Sequence, residues 1–337
     1  MKKLLIFGDP NGTASMTALG KYSPENITVW ENDSRHVYAI KQVCGRINVT
    51  TDLEEIDSTM HFSATIGNPP YLKNLHLEFL LKALQVSDSV KLVHPAGWLF
   101  RDGRNIEKQV KRELKGRIKS LRFFNGNSKF IGTEFDCPLV VTHAEKEYNG
   151  PIELFYENTG NKYYVNDLSE IPTGFWEPND THLQTVETFK KLTESSCIGN
   201  IAGKYAGGSF VQSPRTCGHA VTKDPAKFCT NDFFTFFYRN SDITTLKTNE
   251  PCYNVSNNEE AESLVSYMKT KFARFAFSIH KISRDCYLGR YLSNVPLPPL
   301  DRQWSDDSIM EYYHISPEQV SYINSFIPDY YVQEQAQ

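Results

Sequence analysis

FSATIGNPPYLKN, residues 62–74, runs from an apolar stretch straight into an asparagine, two prolines and a tyrosine. Its first residues suit a buried β-strand, being aromatic, small or β-branched. Asn68-Pro69-Pro70-Tyr71 then stops that strand. One reading is a turn, since Asn and Pro both favour turns and each proline fixes its own φ. The tetrapeptide is rarer than an ordinary turn. At average composition, with Pro near ~5%, chance supplies it in roughly one such chain per thousand. It is also a rigid backbone without N–H donors at the prolines, carrying an amide on one side and an aromatic ring on the other.

Working outward, LLIF (4–7), ITVW (27–30), FSATI (62–66), VKLVH (90–94), IKSLRFF (118–124) and CPLVVTH (137–143) read as strands. Helical periodicity lies between them. Val37, Ile40 and Cys44 share one face, as do Leu77, Leu80, Leu81 and Leu84, and Ile106, Val110 and Leu114. Such alternation predicts an α/β fold with a mostly parallel, doubly wound sheet covered on both faces. Ligands of such sheets bind at the C-terminal strand ends.

The alternation stops near residue 145. PIELFYENTGNKYYV (151–165) reads as a hairpin, and residues 172–180 are rich in turn formers. The boundary is placed near 175, giving domains 1–175 and 176–337. The second domain reads as mixed α+β. It holds a helix with Leu183, Val186 and Phe189 inward, a Gly-rich stretch (199–219), and a helix through Ala261, Leu264, Val265, Met268 and Phe272. VPLPPL (295–300) is extended, and Ser316-Pro317 starts a last helix.

The 337 residues exceed the usual size of one hydrophobic core. At 40% hydrophobic and 23% charged the composition is that of a globular protein. Twenty-one Phe and 18 Tyr suit a protein that stacks flat ligands, or simply a large core. The net charge of -4 excludes nucleic-acid binding by bulk charge and requires a local basic patch instead. Seven widely spaced cysteines without a C-x-x-C argue against zinc and for reduced thiols in a cytoplasm. The apolar run of MKKLLIFGDP is too short for a signal peptide, and no stretch approaches the roughly 20 residues of a membrane span.

The strand ends carry the chemistry. FGDPNGTAS after the first strand lets a ligand approach the backbone, and Asp9 offers acceptors to a ligand amine; a plain glycine-rich turn reads equally well. Glu31 ends the second strand, where folds of this kind hold ribose hydroxyls. Asn32 or Asp33 can cap the next helix, which leaves Glu31 free. Asp52 occupies the comparable place after the third strand, or is a surface carboxylate. At the fourth strand, the Asn68 side chain and the Pro69 carbonyl hold oxygen acceptors in fixed positions. A heteroaromatic amine is a poor nucleophile because its lone pair is delocalised. Accepting both of its N–H groups localises that lone pair, so that positioning and electrostatics do most of the work. Tyr71 stacks on the ring.

These residues resemble the catalytic motif of the gamma-class S-adenosylmethionine-dependent DNA adenine-N6 methyltransferases of restriction-modification type, in their order of cofactor loop, NPPY and C-terminal recognition domain. The resemblance implies a Rossmann-like methyltransferase fold with a target-recognition domain, S-adenosylmethionine as cofactor, and double-stranded DNA whose target base is flipped out. It implies catalysis by Asn68, Pro69, Pro70 and Tyr71. Cofactor binding falls to Asp9, Gly12, Thr13, Glu31, Asn32, Asp52, Asn68 and Phe79. SKFIGTEFDCPLVVTHAEK (128–146) resembles the late motif that packs an aromatic on the base, Phe130 first and Phe135 second. VKLVHPAGWLF resembles the strand after the catalytic helix, and YLSNVPLPPL the end of the recognition domain. Asp9-Pro10-Asn11-Gly12-Thr13-Ala14 is shorter than the family's loop, with Ala14 where a second glycine is expected. The family's upstream cofactor segment has no counterpart before Asp9, which assigns that role to another part of the chain or to a partner.

Residues 101–122 hold nine Lys/Arg against three acids, and residues 269–290 six against one. Such stripes supply phosphate contacts or are solvated helix faces. Lys204, Arg215, Lys269, Lys271, Arg274, Lys281 and Arg284 are the DNA-contact candidates. Two other readings stand beside the first. One is the same chemistry on RNA guanine or a protein glutamine. The other is a weakly active or inactive DNA-binding relative within a modification or defence complex, with a restriction or defence partner protein. The expected setting is a bacterial or phage-infected cytoplasm, and a monomer suffices for one-strand methylation.

Overall fold

The computed structural model describes residues 2–100, 104–124, 126, 138–172, 177–212, 238–240 (backbone), 251–279, 292–327 and 329. The chain forms two compact units, the first of Met1–Gly126 with Pro138–Ile171, the second from Pro172 onward.

The first unit runs β1 (Leu4–Phe7), α1 (Thr13–Leu19), β2 (Ile27–Trp30), α2 (Ser34–Cys44), β3 (Asn48–Thr50), β4 (Phe62–Gly67), α3 (Leu75–Val86), β5 (Ser87–Pro95), α4 (Asn105–Leu114), β6 (Ile118–Phe124), β7 (Leu139–Glu145), β8 (Ile152–Tyr156) and β9 (Asn161–Val165). The strands make one sheet of nine, in the order β3-β2-β1-β4-β5-β7-β6-β8-β9. β3, β2, β1, β4 and β5 are mutually parallel, and β7 enters antiparallel between β5 and β6. This is a Rossmann-like, doubly wound α/β sheet, as the alternation of short apolar runs and helical faces predicts. Both faces of its parallel half are covered. Leu4, Ile6, Ile27 and Val29 share a core with Ile40 and Cys44 of α2. On the other face Phe7 and Trp30 meet the ring of Phe79 from α3, edge-on at 4.7 and 4.5 Å. Leu77, Leu80 and Leu84 of the same helix are buried with it.

The order reverses at β1: β2 and β3 continue one way, β4 and β5 the other. In sheets of this kind the crevice that takes a ligand lies at such a switch point, outside the C-terminal strand ends. Phe7, Trp30 and Gly67 form one row across it. Gly67 has φ +154°, and a Cβ there would lie 2.8 Å from the Phe7 nitrogen and closer still to its carbonyl oxygen. Only glycine fits this approach of one backbone to the next.

The second unit contains α5 (Asp180–Ser195), β10 (Ala202–Gly203), β11 (Ser209–Gln212), β12 (Tyr238–Asn240), β13 (Cys252–Val255), α6 (Asn258–Lys269), α7 (Lys271–Ser278), α8 (Asp306–Tyr312) and α9 (Pro317–Phe326). Its four strands pair antiparallel in the order β10-β13-β11-β12. Two expectations are corrected. Leu183 is 45% exposed, because α5 turns His182, Thr185 and Phe189 inward instead. The helix read as continuous through Phe272 breaks at Thr270, which ends α6 and caps α7 by accepting from the Ala273 amide. As predicted, Ser316 caps α9, with Pro317 in its first turn and Gln319 completing a capping box. Among the described residues no helix is long and apolar enough to cross a membrane.

Replacing Gly67 with alanine adds a steric overlap to a backbone conformation that L-residues rarely adopt. Gly67→Ala is expected to cost about 2–4 kcal/mol in urea unfolding. Gly160→Ala, at φ +76° but in open space, should cost about 1–2 kcal/mol. Equal losses at the two positions would remove the case for a close approach at Gly67.

Candidate active site

Three loops leave the sheet side by side at the switch point, and ladder hydrogen bonds carry on one residue past each strand. The Gly8 amide donates to the Trp30 carbonyl (3.0 Å), Glu31 to Thr50 (3.0 Å) and Asn68 to Phe7 (2.9 Å). Gly8 takes φ +70°, and a Cβ there would stand 2.8 Å from the Asn68 carbonyl oxygen. The loop after β1 and the Asn-Pro-Pro-Tyr segment are therefore in direct contact.

The residues after β1 do not stay a loop: Gly12, at φ +68°, starts α1. Asp9 is 4% exposed, and its carboxylate accepts from the amides of Ala14 (3.0 Å) and Ser15 (2.8 Å) and from the Ser15 hydroxyl (2.5 Å). These bonds take three of about four acceptor positions on the carboxylate, so Asp9 chiefly shapes its own loop rather than waiting for a ligand amine. Thr13 is exposed in the first turn of α1. Cys44 of α2 braces the loop through its thiol, 3.7 Å from the Gly12 carbonyl.

Glu31 is 5% exposed. It accepts from the amides of Asp9 (3.2 Å) and Asp33 (3.1 Å), and His36 Nδ1 lies 3.4 Å away. It thus joins the ends of β1 and β2 and keeps acceptor capacity. Asp33 takes the cap of α2, accepting from the Arg35 amide, and the Arg35 side chain holds its carboxyl far below the usual range. Asn32 is exposed. Asp52 lies two strands from β1, exposed and accepting from the Glu54 amide, which favours its reading as a surface carboxylate. Phe79 is 1% exposed, behind the crevice, packed on Phe7 and Trp30.

Asn68 is exposed, and Tyr71 is half-buried with its hydroxyl donating to Asn68 Oδ1. A short 3₁₀ turn (Leu72–Asn74) then leads into α3. Lys73 and Asn74 both sit in the left-handed region, at φ 50° and 68°. Two such residues cost about 1–2 kcal/mol each, so the segment must be held by its surroundings.

Under this segment lies a polar cluster that the sequence reading did not single out. His76 is 5% exposed and meets the Tyr71 ring edge-on at 6.0 Å. It stacks on His94 (5.8 Å, 22°). His94 is fully buried, accepts from the Trp98 indole N–H at Nδ1 (3.0 Å), and lies 2.9 Å from the Thr142 hydroxyl at Nε2. Burial pushes His76 down to about 4 and His94 down to about 3. A lone histidine within LHLEFLLKAL or ending VKLVH reads as a core residue; only its spacing from Tyr71 could have marked His76.

At this end of the sheet, His76 Nδ1 and the indole N–H of Trp30 are buried polar atoms without a hydrogen-bond partner among the described residues. Such atoms cost about 1–3 kcal/mol each when left unsatisfied. Glu31, at the end of β2 and with acceptor capacity left, suits the donating hydroxyls of a nucleoside. The residues present fit S-adenosylmethionine on this ground.

The DNA-contact candidates fare unequally. Lys204 is exposed in the turn between β10 and β11, and Lys269 is half-buried at the end of α6. Arg274 is corrected: it is 1% exposed in α7, a helix buried from Phe272 to Ser278. Lys271 is held by Asp329 at 2.7 Å. Phe130, Phe135, Arg215, Lys281 and Arg284 lie outside the described residues.

No family model matches the chain, and no curated protein matches it in sequence. Solved structures do. A type I restriction-modification methyltransferase subunit from Streptococcus thermophilus is 15% identical with TM-score 0.38, over 56% of this chain and 47% of that one. The type IIG restriction endonuclease BpuSI is 10% identical with TM-score 0.43, over 93% and 58%. An inferred RNA methyltransferase from Pyrococcus horikoshii is 19% identical with TM-score 0.31, over 43% and 73%. The chain spans about half the length of the type I subunit.

The two depressed histidines set a pH dependence. Unfolded, each titrates near ~6.5; folded, each stays neutral well below that. Between these values the unfolded chain binds more protons, so stability is full above pH ~6.5 and falls as pH drops toward 4 and 3. From pH 7 to pH 5 each should remove about 2 kcal/mol from the first unit. Urea unfolding of wild type and His94→Phe at both pH values tests this, the variant showing the smaller loss.

Proposed function

We propose that the chain is an S-adenosylmethionine-dependent methyltransferase that acts on the exocyclic N6 amine of adenine in double-stranded DNA. The observation that carries this reading is the row formed by Gly8, Glu31 and Asn68 at the sheet's switch point. An acceptor amide on a proline-stiffened backbone stands there against a loop and a buried carboxylate suited to a nucleoside cofactor. The Asn-Pro-Pro-Tyr motif supports the same reading independently.

S-adenosylmethionine, when bound, supplies an electrophilic methyl group on a sulfonium. The chain's own residues have separate tasks. Glu31 accepts hydroxyl donors, and the loop shaped by Asp9 and Gly12 brings backbone close to the ligand. Asn68 Oδ1 and the Pro69 carbonyl accept the two N–H groups of the amine and so localise its lone pair. Pro69 and Pro70 hold these acceptors without mobile donors of their own. Tyr71 stacks on the base, with Phe130 as its partner on the other face. The amine lies inside a stacked duplex until its base is flipped out. Lys204 and Lys269, with Arg215, Lys281 and Arg284, supply the phosphate and groove contacts of the second unit. A partner subunit is the proposed source of further cofactor or DNA contacts.

Nucleoside mass spectrometry tests the reading in cells lacking their own adenine methylases. Wild type should introduce N6-methyladenine into genomic DNA. Asn68→Ala should reduce turnover at least ~100-fold, the scale seen on deleting one fixed transition-state hydrogen bond. Tyr71→Ala should lower turnover while calorimetry finds S-adenosylmethionine affinity within about twofold of wild type. Label from the cofactor in RNA or protein, with none in DNA, would reassign the substrate to guanine or glutamine. Intact DNA binding without cofactor binding would make the chain an inactive relative.

A further inference from the structure

We infer that His76 is a positioning residue for Tyr71, tying the Asn-Pro-Pro-Tyr segment to the buried His94–Trp98–Thr142 cluster. The inference rests on the proposed methyl transfer for its catalytic consequence, and on geometry alone for the tie.

Tyr71 leaves the strand on a segment whose next two described φ values of note, at Lys73 and Asn74, are left-handed. Nothing in the sequence of that segment favours the conformation at Lys73, so the tie must come from a neighbour. His76 is that neighbour. It is anchored in α3 and presents its ring edge-on to Tyr71 at 6.0 Å. A tie is only as firm as its far end. His76 stacks on His94, whose two ring nitrogens face Trp98 and Thr142 at 3.0 and 2.9 Å. His94 thereby spans β5, the 3₁₀ turn Ala96–Phe100 and β7.

The choice of residue is itself informative. A leucine would fill the site without leaving a buried Nδ1 unsatisfied. What a histidine offers beyond leucine is a flat aromatic ring that meets Tyr71 edge-on and stacks on His94. Both contacts serve the placement of Tyr71. Because His76 is neutral throughout the ordinary range of pH, this placement is constant there.

Hydrogen–deuterium exchange and kinetics on the full chain test the assignment. His76→Leu should stay folded, speed exchange of the 71–74 amides at least fivefold, and leave exchange of β1 and β2 unchanged. Turnover should fall roughly 10- to 100-fold, as misplacement of a reacting group does, with S-adenosylmethionine affinity within twofold. His76→Phe, which keeps a flat aromatic ring, should recover part of the turnover and of the protection. In a Tyr71→Ala background, His76→Leu should cost less than threefold further. If wild type methylates nothing while the exchange result holds, the proposed function fails and the tie stands. Unchanged exchange at 71–74 in folded His76→Leu, or full additivity with Tyr71→Ala, overturns the assignment.

Discussion

The close approach of β4 to β1 at Gly67 is the constraint from which the rest of the crevice follows. A side chain at that position would overlap the Phe7 peptide. Its absence lets the two strands stay paired to their last residues, so Asn68 emerges beside Gly8 and two strands from Glu31. Acceptor, loop and carboxylate thus share one floor. Their spacing is set by the strand separation of a β-sheet, about 4.8 Å, and not by the loops themselves. Loops can vary in sequence on such a floor without losing alignment, because backbone pairing alone sets where each begins.

Much of this was legible in the sequence, and the reason is burial. β1, β2 and β6 are continuous apolar or alternating runs bounded by turn formers, and their expected limits agree with the structure. The candidate strand ends stand out in the sequence for a related reason, since a polar cluster that abruptly ends an apolar strand has few structural uses. Illegible features depend on geometry across the chain. Thr270 breaks a stretch whose apolar period runs on unbroken, because its hydroxyl caps a new helix from inside the pattern. Leu183 is exposed and His182 buried beside it because one residue is a rotation of about 100° on a helix, and His182 lies 2.9 Å from the Tyr322 hydroxyl.

Charge was the least reliable guide. The run from 269 reads as a basic stripe for phosphates, yet its members have different fates. Lys271 is taken up by Asp329, and Arg274 lies in the field of Asp306 and Asp329 within the interior of the second unit. Burial of a guanidinium is tolerated only where carboxylates and packing offset its lost hydration. Sequence shows the cations of such a stretch but not the acids that neutralise them from 30 or more positions away.

The hydrogen bond from the Tyr71 hydroxyl to Asn68 Oδ1 has a consequence for selectivity. At rest the motif is its own occupant. On the proposed reading, an incoming amine exchanges one neutral hydrogen bond for another, a trade whose net gain is small on the scale of about 0.5–1.5 kcal/mol per bond. Under that proposal affinity comes from stacking and from contacts elsewhere, and a planar group with two N–H donors, which also engages the Pro69 carbonyl, is favoured over a single donor.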